Sequence, residues 1–441
     1  MLIPELLSPA GSLKAMRLAF AYGADAVYAG QPRYSLRVRN NEFDLATLQT
    51  GIAEAHALGK KFYVVVNIAP HNSKLHSFIA DMAPVVALKP DALIVSDPGV
   101  IYLLKQHFPQ VPLHLSVQAN TVNWAAVKFW QAQGVERVIL SRELAVDEIA
   151  EIRREVPDMQ LEVFVHGALC MAYSGRCLLS GYINKRDPNQ GACTNSCRWP
   201  YQVHAAVEDE VGQFKPISTP ALLEEQGRPG ELMAIDEDLH GTYILNSKDL
   251  RAIEHVAALT AMGVHSLKIE GRTKSPYYVA RTAQVYRQAI DDAVAGNAFN
   301  PNLLGELDGM ANRGFTEGFL RRHKPQDTQN YATSHSVGEQ LLVGEFIGEQ
   351  DSEGFALVEV KNQFAVGDSL ILMSPNGNQC FTLQGLRDKQ NNAILLAPGA
   401  CYQLKVKLPL QQSFNFAMLL KQLPQQHSAI DAAVVGQACQ P

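Results

Sequence analysis

No apolar run in this chain reaches the roughly 18 residues needed to cross a bilayer, so no membrane span is expected. Charge is scarce as well. Only 19% of the 441 residues are Asp, Glu, Lys or Arg, and acidic residues outnumber basic ones 44 to 38, for a net charge of −6. That balance excludes a protein that coats nucleic acid through bulk positive charge. It leaves room for a local basic patch that docks one folded RNA. The opening residues, MLIPELLSPAGSLKAM, lack both a basic n-region and an unbroken apolar h-region. Cysteines number seven, an odd count that suits reduced thiols better than paired disulfides. A cytoplasmic protein is the expectation. Also missing are a G-x-G-x-x-G after the first strand, an H-E-x-x-H and a G-x-S-x-G, the usual marks of a dinucleotide fold, a zinc peptidase and a serine hydrolase.

What is present is a repeat. A short apolar strand, a polar end and an amphipathic helix recur through the first 300 residues. The strands fall at 6–7, 26–29, 62–66, 92–95, 113–117, 137–140, 161–165 and 266–269. Ser12 is placed to cap the first helix, whose Leu13, Met16 and Phe20 share a face. Gly23, Gly59, Gly134 and Gly263 stand where a helix C-cap needs a positive φ. Eight such units predict a closed (β/α)8 barrel over 1–300, with an open doubly wound sheet as the alternative. Asn246-Ser247-Lys248-Asp249 reads as the start of the seventh helix, with Ser247 as its cap. The last barrel helix is expected over 276–295. A turn-rich linker follows at 301–335. From 336 to 422 short alternating strands punctuated by Asn-Gly and Asn-Asn predict a small antiparallel β-barrel, with a polar tail at 423–441.

The loop after the seventh strand is greatly extended, from about 167 to 242, and holds Cys170, Cys177, Cys193 and Cys197. Six residues separate the first pair and three the second. Structural zinc prefers gaps of two to four. An iron–sulfur cluster accepts freer spacing among four thiolates. Spacing alone leaves both metals open. A hairpin or mobile loop is expected over 203–240. Cys380, Cys401 and Cys439 read as ordinary small hydrophobes.

Residues 162–180, E-x-F-x-x-G-A-L-C-x4-G-x-C-x-L-S, resemble the signature of the collagenase-like peptidase family U32. The blocks LLSPAGSLKAMRLAFAYGADAVYAGQPRYSLRVRNNEF, NSKDLRAI, HSLKIEGRTKSPYYVARTAQVYR and NRGFTEGF extend the likeness over nearly the whole chain. Within that family the chain is most similar to the branch that hydroxylates tRNA; other relatives serve ubiquinone synthesis and ribosomal RNA hydroxylation. The resemblance implies a 4Fe-4S cluster on Cys170, Cys177, Cys193 and Cys197. It also implies prephenate, a dicarboxylate, as oxygen donor, and a hydroxyl added at carbon 5 of the wobble uridine in the tRNA anticodon loop. Competing readings are the family's older label, a peptidase, and a non-enzymatic RNA-binding protein.

In a barrel of this kind chemistry sits at the C-terminal strand ends. His166, Glu270 and Arg272 are the catalytic candidates there, although His166 also suits a hydrogen-bonded structural role. Arg33, Arg37, Arg39, Arg142, Lys268, Asn67, Gln118 and Asn120 are the candidate binding residues, since arginine forks match carboxylate and phosphate. Arg176, Lys185, Arg186, Arg198 and Lys274 add charge nearby. Tyr34, Tyr173 and Trp199 are candidates to stack on an unpaired base, with loop packing as the alternative.

Overall fold

The computed structural model describes residues 2–37, 41–169, 189, 248–312, 314–321, 340–409 and 414–423, together with short strands between 205 and 242. The chain divides into two units, 1–307 with 312–336, and 308–311 with 337–441. No helix among the described residues is long and apolar enough to cross a membrane.

The first unit is a closed parallel barrel. Its strands are β1 (Glu5–Pro9), β2 (Ala26–Gly30), β3 (Lys61–Val66), β4 (Ala92–Val95), β5 (Leu113–Leu115), β6 (Arg137–Ile139), β7 (Gln160–Ala168) and β8 (Ser266–Ile269). Each pairs with the next in parallel, and β8 bonds both β7 and β1, which closes the ring. The strands read as apolar runs because both faces are covered, by the barrel interior and by the helices outside. Those helices are α1 (Leu13–Ala21), α2 (Leu45–Ala57), α3 (Asn72–Ala87), α4 (Pro98–His107), α5 (Trp124–Ala132), α6 (Val146–Glu155), α7 (Val256–Met262) and α8 (Pro276–Ala295). Their starts are set locally. Ser12 accepts from the Ala15 amide, Asp97 caps α4 just ahead of Pro98, and Ser275 caps α8 just ahead of Pro276. All four expected C-cap glycines have positive φ.

Two expectations need correction. The fifth strand ends at Leu115, not 117, and Val117–Ala119 forms a 3-10 turn leading to Asn120 at φ 51°. The seventh helix does not begin at 246–249. Asp249–Arg251 is a strand antiparallel to the end of β7, with Asp249 opposite Ala168, Leu250 opposite Gly167 and Arg251 opposite His166. Phe315–Thr316, from the stretch read as linker, adds a third strand beside it. The cause is that β7 runs past the barrel rim. Its amides and carbonyls there need partners, and the returning chain supplies them. Helix α7 starts only at Val256; Ser247 lies outside the described residues. The insertion contains the expected hairpin character, since Ala205–Glu208 pairs antiparallel with Phe214–Ile217 and Leu222–Glu224 with Leu232–Ala234.

The second unit is antiparallel. Strands β9 (Gln340–Gln350), β10 (Phe355–Val360), β11 (Ser369–Ser374), β12 (Gly377–Thr382), β13 (Gln403–Lys407) and β14 (Met418–Gln422) run in the order β12-β11-β14-β9-β10-β13, extended by Leu386–Arg387 and Ala393–Ile394. No ladder joins the two end strands among the described residues, so the expected small barrel is an open one. Val343, Val358, Leu372, Leu404 and Leu419 fill its core. Cys380 and Cys401 are free, ordinary cysteines on exposed positions; Cys439 lies outside the described residues.

Candidate functional site

The lower half of the barrel interior is ionic. Glu5 at the start of β1 receives Arg137 Nη1 at 2.6 Å, Tyr63 OH at 2.7 Å and Ser266 Oγ at 3.0 Å. Glu162, fully buried on β7, receives Arg137 Nη1 at 3.2 Å and Lys268 Nζ at 2.7 Å. Burial alone would push the Glu5 carboxyl up, but Arg137, Tyr63 and Lys61 hold it below its ordinary value. Burial lowers Lys268, with Glu162 opposing. His114, packed edge-on against Tyr63, is held neutral by burial and by Arg137, Lys268 and Lys61. Two carboxylates and two buried cations thus neutralise one another in a largely buried layer.

Lys268 links this layer to the mouth. Its ammonium lies 4.2 Å from the Tyr28 ring and 5.5 Å from that of Phe164. Above it stands Glu270, one residue past β8. Tyr28 OH lies 3.3 Å from Glu270 Oε2, and Arg142 Nη2 approaches the same oxygen to 3.9 Å. Arg142 lies flat on Phe164, 3.7 Å from the ring centre. Arg272 reaches across to donate to the Leu36 carbonyl and flanks Tyr28. Burial would raise the Glu270 carboxyl, yet Arg142, Arg37, Arg272 and Lys268 outweigh it and hold the group ionised. Arg142 Nε and Arg272 Nη1 are buried without a hydrogen-bond partner among the described residues. Arg142, Arg37 and Arg272 thus all act on Glu270, and the N–H groups of Arg142 and Arg272 that lack a partner among the described residues suit a ligand carboxylate.

Asn67, after β3, bonds Ser116 Oγ at 3.2 Å and Gln118 Oε1 at 3.0 Å through Nδ2, and its Oδ1 receives the Leu36 amide at 3.1 Å. It ties the loops after β2, β3 and β5 together beside the arginines. Asn120 holds the left-handed turn after β5. These residues are brought together as the strand ends predict. Arg33 is not. It pairs with Asp81 of α3 at 2.6 Å and is half exposed on the outside of the barrel. Tyr34 is no stacking platform either: it is fully buried edge-on against Phe78, with its hydroxyl on Asp81. Arg39, Tyr173, Arg176, Lys185, Arg186, Arg198 and Trp199 lie outside the described residues.

His166 is enclosed by Tyr278, Tyr286 and Phe315, with Tyr286 OH 3.3 Å from Nδ1. Burial pulls its pKa down to about 3, with Lys274 and Arg251 helping and Asp249 opposing. A ring neutral at pH 7 in an aromatic cage fits the structural reading. Above pH 6.5 neither folded nor unfolded chain protonates it. Below that, only the unfolded chain does, so the stability present at pH 7 is lost as pH falls from 6.5 toward 3. By pH 5 the loss is about 2 kcal/mol from this group. His166→Phe should therefore show a fall in unfolding free energy between pH 7 and pH 5 smaller by about that amount, read from denaturant curves at the two values. An unchanged fall would contradict the buried neutral ring.

Cys170, Cys177, Cys193 and Cys197 lie outside the described residues, but the chain on either side of them is placed. Gly167 has φ +110°, and a Cβ there would sit 2.5 Å from the Glu270 carbonyl, so β7 leaves the barrel in contact with Glu270. Further on, the Asn189 carbonyl receives the Ala69 amide at 3.2 Å, just beyond Asn67. Two described residues of this part of the chain, Gly167 and Asn189, thus touch strand-end loops of the barrel. Four soft thiolates are a fitting donor set for an iron–sulfur cluster.

The profile of Peptidase family U32 matches residues 11–330, and that of the Peptidase family U32 C-terminal domain matches 339–421. The chain belongs to peptidase family U32. Among U32 relatives, tRNA hydroxylation protein P of Escherichia coli is 63% identical over 438 residues, covering 95% of this chain and 96% of that protein. Its Haemophilus influenzae counterpart is 58% identical, with the same coverage. The 23S rRNA 5-hydroxycytidine C2501 synthase of E. coli is 34% identical over 289 residues, which is 65% of this chain and 39% of that protein. A U32 structure, the peptidase Mk0906, aligns with 62% of this chain and 94% of its own, at a TM-score of 0.38 and 11% identity.

Proposed function

We propose that this U32 protein is a tRNA hydroxylase that adds a hydroxyl at carbon 5 of the wobble uridine, with prephenate as oxygen donor and a 4Fe-4S cluster on Cys170, Cys177, Cys193 and Cys197. The observation that carries the reading is the cationic mouth around Glu270, in a chain similar from end to end to tRNA hydroxylation protein P. In this reading Arg142 and Arg272 hold the donor's carboxylates. Glu270, kept ionised, accepts a hydrogen bond from a donor hydroxyl and so selects against a ligand presenting only anionic oxygens there. Tyr28 and Phe164 wall the donor off from Lys268 and keep water from the layer below. The target uridine leaves its stack to reach the mouth, which an anticodon loop permits more readily than a duplex. When bound, the cluster supplies one-electron chemistry.

The test is nucleoside analysis of tRNA from a strain lacking the gene, complemented by wild type or variant and grown with or without prephenate synthesis. 5-hydroxyuridine that persists without the gene, or without prephenate synthesis, would sink the reading; formation that needs both supports it. Arg272→Ala should raise the donor concentration needed for half-maximal rate by roughly 10- to 100-fold, the size of a lost charged hydrogen bond. Its affinity for tRNA should change less than about threefold, because Arg272 is largely buried. An unchanged donor requirement removes Arg272 from the site.

A further inference from the structure

Tyr34 is buried, and Tyr173 and Trp199 lie outside the described residues, but among the described residues Trp124 is an exposed aromatic close to the rim. Trp124 is the first residue of α5, just after the Asn123 cap, whose side chain accepts from the Ala126 amide at 2.8 Å. It is 39% exposed, as is Val122 two residues earlier. The segment is fixed to the mouth: the buried Thr121 accepts at its carbonyl from the Ser141 amide at 3.3 Å, and Ser141 precedes Arg142. Trp124 is three residues from that bond, a span of at most about 10 Å. Lys128 lies over its indole, the ammonium 4.6 Å from the ring centre and 3.9 Å from the half-exposed Glu155 carboxylate of α6, a surface pair that a phosphate can replace. Helix α5 buries Val127, half-buries Ala126, Trp130 and Gln131, and leaves Trp124 and Lys128 exposed.

We propose that Val122 and Trp124 form a lip on which a nucleobase next to the target uridine stacks, with Lys128 meeting the adjoining phosphate. This rests on the tRNA reading above. An indole has the largest sequence-tolerant stacking face of any side chain, and a cation beside it matches the alternation of base and phosphate along a single strand. A nucleotide whose neighbour enters the mouth is unstacked on one side, and the lip replaces that lost contact.

The test uses full-length protein and labelled unmodified tRNA at fixed salt, with affinity read by anisotropy. Trp124→Ala should weaken binding roughly 5- to 150-fold, the range for one stacked base. Trp124→Phe should retain most of the affinity, and Lys128→Gln should lower the salt slope by about one. Affinity for prephenate should stay as in wild type in all three. If Trp124→Ala binds tRNA within twofold of wild type, the lip is wrong while the hydroxylase reading stands. If that variant instead changes only the oligomeric state on light scattering, the face is a self-interface and the proposal falls. A wild-type protein that does not bind tRNA removes the underlying reading and the lip with it.

Discussion

Glu162→Ala should cost the barrel about 3–5 kcal/mol, the penalty for stranding buried charge. The side chain is wholly buried and neutralises Lys268 at 2.7 Å while sharing Arg137 with Glu5. Without it, Lys268 is left between two aromatic rings, with only the more distant Glu270 carboxylate acting on it. The measurement is the denaturant midpoint at pH 7, with the slope checked to be constant. Glu162→Leu combined with Lys268→Met should recover most of the loss, because an apolar pair of similar volume avoids the desolvation penalty. A single-variant loss under about 1 kcal/mol would mean that the network does not hold charge as its geometry implies.

Cys193→Ala should abolish iron binding outright and leave the barrel folded. Three remaining thiolates do not complete the donor set of a four-iron cluster, and the barrel closes through β8 without any residue of the insertion. Iron and sulfide are counted in protein purified away from air, alongside circular dichroism. Full iron retention would remove Cys193 from the ligand set. Lost helix signal would mean that the insertion is part of the barrel's stability, against the pairing described above.

Much of this was legible in the sequence. The eight strands were visible because parallel barrel strands are covered on both faces and so read as predominantly apolar runs, even where His114, Glu162 or Lys268 interrupts them. The glycines after four helices gave the C-caps for a stereochemical reason that needs no neighbour. The mouth followed from the strand ends, and Arg142, Lys268, Glu270, Arg272, Asn67 and Gln118 do gather there. Other features had no local signal. Arg137 meets Glu5 across 132 residues and Lys268 meets Glu162 across 106, so the buried network exists only once the ring is closed. Asn246-Ser247-Lys248-Asp249 looks like a cap, but the unpaired rim of β7 captured Asp249 as a strand instead. Tyr34 sits among arginines and suggested an exposed ring; Phe78 and Asp81, both on α3, drew it inward. Trp124 carries no signal in the sequence, because an aromatic at a helix start is ordinarily core and only solvent exposure distinguishes it.

The short rung from Ala168 to Asp249 has a further consequence. The chain leaves the barrel at Ala168 and returns beside it at Asp249. Enlarging a closed excursion of this sort is cheap, roughly 0.6 kcal/mol for each doubling of its length. Lengthening or shortening this excursion away from its cysteines should therefore cost the ring little stability.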